Sequence, residues 1–150
     1  MSLDVYLSDS DATRYRANRI FIRENGQTRE ISREEWDARY PGREPCVCPA
    51  DEEPTSEVYS GNVTHNLGKM ALEASIYDCL WCPEETGVTT ASQLIAPLEA
   101  GLSLLLAEPD RFKALNPTNG WGTYNGFVRF VREYLDACKT YPRASIHVSK

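Results

Sequence analysis

The chain has 150 residues, 41% hydrophobic and 25% charged, and its 22 acidic against 16 basic side chains leave a formal net charge of −6. This is the profile of one globular domain with a core of its own, and it excludes a repeat array, a disordered chain and a membrane-spanning one. An acidic chain without clustered Lys and Arg is a poor partner for nucleic acid, and no basic stretch precedes the first apolar residues, so a cytosolic protein is expected.

Leu3 to Leu7 alternates as a short strand, with Leu3, Val5 and Leu7 on one face and Asp4 and Tyr6 on the other. Asn18 to Ile31 reads as a hairpin around Asn25-Gly26, a pair that tolerates the positive φ of a two-residue turn. Ser32-Arg33-Glu34-Glu35 is a capping box that opens a short helix through Trp36, ended by Pro41-Gly42. Glu44 to Pro54, with its prolines and acidic run, is a connector. Residues 9–57 hold 12 acidic and 8 basic side chains, so most of the negative charge lies in what reads as an excursion from the core.

Glu57 to Thr64 reads as a strand that hands over to a helix at His65-Asn66. Asn66 is the expected N-cap, and Leu67, Met70, Ala71, Ala74, Tyr77 and Leu80 form a continuous buried stripe up to Pro83. A second helix opens at the capping box Thr90-Ala91-Ser92-Gln93 and buries Leu94, Leu98, Gly101, Leu102 and Leu105, with Pro97 expected to kink or delay it. The Asn/Gly-rich loop 116–122 precedes a third helix with Phe127, Phe130, Val131, Tyr134 and Cys138 inward, and Ala144 to Val148 closes as a strand. The expected fold is α+β and a single domain, residues 1–150. It has a small, mainly antiparallel sheet with about three helices on one face, the first and last strands together in that sheet, and residues 18–54 inserted as a hairpin and loop at an edge.

Met1-Ser2-Leu3-Asp4-Val5-Tyr6-Leu7, the string Glu57 to Leu67, Asn119-Gly120-Trp121-Gly122-Thr123-Tyr124 and Ile146-His147-Val148-Ser149 together resemble a group of small, functionally uncharacterised proteins of bacteriophages and bacterial genomes. In that group a Leu-Trp-Arg-Pro string stands where this chain has Leu80-Trp81-Cys82-Pro83. The resemblance implies an accessory or host-antagonising role, including capture of a nucleotide immune signal, and implies no particular activity.

Two polar clusters carry the candidate chemistry. Asn62, Thr64, His65 and Asn66 stand at a strand-to-helix junction, where free backbone N–H groups and an imidazole can meet an anion or a carbonyl. Asn119, Trp121 and Tyr124, with flanking glycines, pair amides with aromatic rings, as recognition of a flat heterocycle requires. Cys46, Cys48, Cys79 and Cys82 supply the four thiols of a tetrahedral zinc site, but Cys-x-Cys is not the spacing of a zinc knuckle, so free thiols and no cofactor are expected. The chain carries no phosphate-cradling loop, nucleophile elbow or dinucleotide fingerprint.

The leading expectation is therefore a non-catalytic protein that binds a small polar, nucleotide-like ligand between the two clusters, with Arg129, Lys69 and backbone amides available to phosphate. The alternatives are an acidic interaction module in which the 9–57 excursion docks on a host protein, and a small hydrolase using His65 as base. A homo-oligomer through exposed strand edges is compatible with each.

Overall fold

The computed structural model describes all 150 residues. The alternation of Leu3, Val5 and Leu7 builds the central strand β1 (Ser2–Ser8), whose inward residues are completely buried. β1 pairs antiparallel with two later strands that come to it from distant parts of the chain. Those named β2 (Arg19–Glu24), β3 (Gln27–Ile31) and β4 (Val47–Cys48) belong to the excursion, while β5 (Glu57–Thr64) and β6 (Ser145–Ser149) flank β1 in the order β5-β1-β6. The first and last strands are thus neighbours, as expected. Leu7 pairs with Tyr59 but Ser8 pairs with Glu57, so Val58 is an extra residue in the ladder. This bulge turns both Val58 and Tyr59 toward the core.

Six helices complete the α+β fold: α1 (Arg33–Arg39), α2 (Gly68–Glu73), α3 (Tyr77–Trp81), α4 (Ala91–Ala107), α5 (Pro109–Lys113) and α6 (Tyr124–Thr140). The two long ones, α4 and α6, pack on each other, and α6 also packs on β5. α6 buries Phe127, Phe130, Val131, Tyr134 and Cys138, and α4 buries Leu94, Leu98, Gly101 and Leu105. The Gln93 Oε1 accepts the Thr90 N–H at 3.0 Å and the Thr89 N–H at 2.8 Å, which fixes the start of α4. Pro97 lies inside α4 without ending it or delaying its start.

The stripe from Leu67 to Leu80 is not one helix. α2 stops at Ala74 because Ser75 takes a left-handed conformation at φ 58°. The Ser75 N–H then bonds the Leu72 carbonyl at 3.0 Å and the Ile76 N–H bonds the Ala71 carbonyl at 2.9 Å, the double closure that ends many helices. Glycine normally fills this position, so a serine there gives the sequence no stop signal.

The excursion is more than a hairpin at an edge. Its two legs are held by paired backbone bonds between Arg14 and Thr55, by Asp51 N–H to the Arg16 carbonyl at 2.9 Å, and by Arg16 against Asp51 at 2.8 Å and Glu57 at 2.6 Å. Beyond this stem, β2 and β3 turn at Asn25 and Gly26, at φ 52° and 78°, and β4 adds to β2, giving a second antiparallel sheet in the order β3-β2-β4. α1, capped by the Ser32 hydroxyl accepting the Glu35 N–H at 3.1 Å, lays Trp36 and Tyr40 over Ile20, Ile22 and Ile31. This sheet therefore has a small core separate from the main one.

Its ion pairs give it a pH dependence. Arg39 holds the Glu24 carboxyl, Arg29 the Glu35 carboxyl and Arg16 the Asp51 carboxyl below their ordinary values, in each case chiefly through a side-chain hydrogen bond. A lowered carboxyl pKa stabilises the fold at pH values above the ordinary 4.5 of Glu and 3.8 of Asp, and that contribution is lost as the pH falls through the folded-state value. Three of the four lowered carboxyls belong to residues 9–57, the fourth being Glu84. On acidification below about pH 4, amide exchange at Ile20, Ile22 and Ile31 is expected to accelerate before that at Leu3, Val5 and Leu7; simultaneous loss of protection would contradict it.

Candidate functional site: the seam between the sheets

β3 runs beside β5, yet β3 pairs only with β2 and β5 only with β1. The link the structure places across this seam is a side-chain one: the Thr28 N–H donates to Asn62 Oδ1 at 3.3 Å, while Asn62 Nδ2 donates to Asp4. Because amides alternate in direction along an antiparallel strand, Thr28 and Glu30 both present backbone groups to the seam. The same alternation applies to β5. The Ile146 N–H leaves β6 away from β1 to bond Thr89, which directs the amides of Ser60 and Asn62 away from β1 and toward β3. Two strand edges thus face one another with most of their donors and acceptors unspent.

On the helix side the seam opens into a cleft of about 230 Å³, roofed by Arg129, Phe130 and Glu133 of α6. On the opposite side a cleft of about 220 Å³ is walled by Asp4, Tyr6 and Phe21. Thr28, Glu30, Ser60, Gly61 and Asn62 border both. The absence of a side chain at Gly61 keeps the seam open, because a Cβ there would lie 2.6 Å from the Tyr59 hydroxyl and 3.1 Å from the Phe130 ring.

The helix-side cleft has one uncommitted cation. Arg29 is bound to Glu35 at 2.6 Å and lies 3.7 Å from Glu24, which together raise its already high pKa. Arg129, by contrast, has no carboxylate within 4.0 Å and donates to the Gln27 Oε1 at 3.3 Å. Gln27 is itself buried, 4% exposed, and Gly126 makes room for its amide, since a Cβ there would approach Oε1 to 2.9 Å. Tyr59 stacks on Tyr134 with centroids 5.4 Å apart, and burial followed by the charge of Glu133 raises its hydroxyl above the ordinary value of 10.0. It is therefore a neutral hydroxyl, in a residue that lines the same cleft as Arg129.

Of the residues that the sequence singled out, Asn62 borders the seam. Thr64 is buried, 4% exposed, and caps a single helical turn, His65–Leu67, by accepting the Asn66 N–H at 3.3 Å. Thr64, not Asn66, is therefore the N-cap; Asn66 is exposed two residues past it. His65 lies edge-on to Trp81 at 6.1 Å, and its Nε2 is closed off from solvent without a partner, so that atom does not reach a substrate as a base must. Asn119 accepts the Trp121 N–H at 2.9 Å and shapes the loop. Trp121 is 50% exposed, with the Arg23 guanidinium 5.3 Å from its ring. Tyr124 is turned inward, its hydroxyl donating to the Leu105 carbonyl at 2.8 Å, so it is part of the core and does not stack on a ligand.

The two clusters do meet. Gly26, Thr64, Leu67 and Gly122 pack so closely that a Cβ at Gly122 would lie 2.8 Å from the Thr64 methyl, and the contact is apolar and closed. The polar opening lies one turn of strand away, among Gln27, Tyr59, Arg129 and Glu133. Among these the sequence drew attention only to Arg129; nothing local marks a glutamine after a hairpin turn as buried, or a tyrosine beside a bulge as cleft-facing.

The four cysteines do not form a ligand set. Cys48 belongs to β4 of the second sheet and Cys46 is exposed in the loop before it, Cys79 donates to the Ile76 carbonyl at 3.2 Å, Cys82 lies 3.6 Å from Lys150, and no three His, Cys, Asp or Glu residues converge for a metal ion. Burial pushes the Cys79 thiol up to about 11 and the Cys138 thiol up to about 12, which keeps both protonated. No helix is long and apolar enough to cross a membrane. Comparison with protein-family models, with curated proteins and with solved structures gives no match to the chain.

Proposed function

We propose that the protein is a non-catalytic binding protein that holds a small polar ligand in the seam between its two sheets, anchored by Arg129. The carrying observation is the pair of unbonded strand edges beneath an arginine that has no carboxylate partner. Such a site suits a molecule that combines an amide-like or heterocyclic edge, to meet the backbone groups of Thr28, Glu30, Ser60 and Asn62, with an anionic oxygen for the guanidinium. At about 230 Å³ the cleft is smaller than the ~300–1,000 Å³ of a drug-sized pocket, so it takes one ring or one phosphate, and the rest of a nucleotide extends through its mouth. In the bacteriophage setting that the sequence resemblance implies, such a protein would sequester a nucleotide signal of the host.

The test is calorimetric titration with adenosine and guanosine monophosphates, their cyclic forms and inorganic phosphate. At least one nucleotide is expected to bind, and Arg129→Ala is expected to weaken it by about ten- to a hundredfold, the ~1.5–3 kcal/mol of a charge-assisted hydrogen bond. Arg132→Ala, an exposed neighbour on α6, and Trp121→Ala are expected to leave the affinity within about twofold of the parent. Binding unchanged in Arg129→Ala, or lost in Trp121→Ala with the fold intact, would overturn the placement of the site.

A further inference from the structure

Arg129 and Glu133 stand four residues apart on α6, a spacing at which a helix ordinarily pairs an arginine with a glutamate. Here the two do not pair. The guanidinium donates to the Gln27 Oε1 at 3.3 Å, and Glu133 has no cation within 4.0 Å and makes no side-chain hydrogen bond. Both nevertheless line the helix-side cleft. The carboxylate charge acts on that side, because after burial it is the next cause that raises the Tyr59 hydroxyl. The other carboxylates nearby are spent or turned away: Glu35 holds Arg29, Glu24 holds Arg39, and Glu30 alternates with Arg29 and so leaves β3 on its opposite face.

The two side chains leave the helix about 6 Å apart along its axis, so a ligand beneath them meets a donor fork and a pair of acceptors side by side. An ionised carboxylate only accepts, through two oxygens, and a guanidinium only donates. The ring that satisfies both presents two adjacent donors beside two adjacent acceptors on one rim. Guanine does so: N1–H and N2–H lie together, and O6 and N7 follow them. Adenine sets its N6–H donor beside the bare acceptor N1, which a carboxylate repels, and the pyrimidines have no pair of adjacent donors.

We propose that the ring entering the seam is guanine, with Glu133 accepting from N1–H and N2–H and Arg129 donating to O6 and N7. This rests on the reading of the seam as a nucleotide site and specifies which part of the nucleotide enters: the base fills the cleft and the phosphate lies at its mouth. Tyr59 and Phe130 give the base apolar walls, and the missing side chain at Gly61 leaves space against the Phe130 ring. Gln27, 4% exposed, has a defined part in this arrangement, because its amide oxygen holds the guanidinium beside Glu133 without a direct ion pair that would close the site.

The test is calorimetric titration of the whole protein with GMP, AMP, IMP and guanosine. GMP is expected to bind at least tenfold more tightly than AMP, with IMP, which lacks the N2 amine, between them. Guanosine is expected to bind within about threefold of GMP, since the base makes the contacts. Glu133→Gln replaces one acceptor by a donor, the pattern that adenine matches with N6 and N1, and should shift the AMP-to-GMP preference at least tenfold toward AMP. A glutamate with a merely structural role would not move that ratio. Asp136→Asn, which removes an exposed carboxylate from the same helix, should leave both affinities unchanged. Nucleotide binding that Arg129→Ala weakens, but with AMP at least as tight as GMP, a ratio indifferent to Glu133→Gln, or no affinity for guanosine, would overturn the guanine reading and leave the seam as the site. Absence of binding by every nucleotide, or binding indifferent to Arg129→Ala, would overturn both.

Discussion

Replacing Gly101 with valine is expected to lower stability by about 3 kcal/mol or more, a large part of the ~5–15 kcal/mol that a domain of this size has to lose. Gly101 lies in the middle of α4, where glycine ordinarily costs about 1 kcal/mol relative to alanine, so a local view would recommend replacing it. The packing decides otherwise. A Cβ at this position would overlap the Cγ2 of Ile76, which is completely buried, and would come within 3.2 Å of the Ala74 carbonyl. The obstruction exists because Ser75 breaks the helix and drives Ile76 back against α4. Gly101→Ala should already lose about 1–2 kcal/mol net of its helical gain. Ile76→Ala removes the obstructing branch, so the double variant Gly101→Ala with Ile76→Ala should be more stable than the sum of the single losses predicts, which a double-mutant cycle in urea measures directly. Additive losses, or a Gly101→Ala more stable than the parent, would show that this contact does not govern the site.

Gly61→Val should have the largest effect on binding. Its side chain would enter the seam between Tyr59 and Phe130, where a Cβ alone already comes to 2.6 Å from the tyrosine hydroxyl. Tyr59 cannot turn aside freely because its ring is stacked on Tyr134 at 5.4 Å. The expected result is loss of nucleotide binding by more than a hundredfold, with a fall in Tm of roughly 4–10 °C, as overpacking by about 1–3 kcal/mol gives in a chain of this length. Gly61→Ala combined with Tyr59→Phe relieves the 2.6 Å contact, and its melting temperature should recover toward the parent's. Whether binding recovers with it separates occlusion of the cleft from loss of the tyrosine hydroxyl. Unaltered affinity in Gly61→Val would remove the seam as the binding site while leaving the fold as described.

Both effects depend on glycines whose role is invisible locally. Much of the fold was legible because its signals are short-range. Asn25-Gly26 closes the hairpin, Ser32 and Gln93 fix two helix starts, and the alternation of Leu3, Val5 and Leu7 marks the central strand. The stripe of α6 from Phe127 to Cys138 was equally plain. Where a residue can satisfy its backbone and bury its side chain with neighbours a few positions away, the local sequence contains the whole instruction.

The candidate site was legible only in part, for the complementary reason. Tyr124 sits in a loop composition suited to recognition, but the Leu105 carbonyl claims its hydroxyl. His65 and Asn66 look like a polar junction, but Trp81 lies across one and Thr64 caps the turn that holds the other. Asn62 was singled out for its type, and its actual partners, Asp4 and the Thr28 amide, come from strands remote in the chain.

The sequence by itself determined an acidic α+β chain, its strands other than β4, its two long helices and most of their starts, because propensity, periodicity and capping act within a few residues. Only the tertiary structure decided that the stripe of 67–80 breaks at Ser75, that residues 19–48 build a second sheet with its own core, and that this sheet stops beside β5 without pairing to it. Each of these outcomes turns on contacts between residues far apart in the chain: Ile76 against Gly101, β4 against β2, and Asn62 standing where a ladder bond would otherwise form.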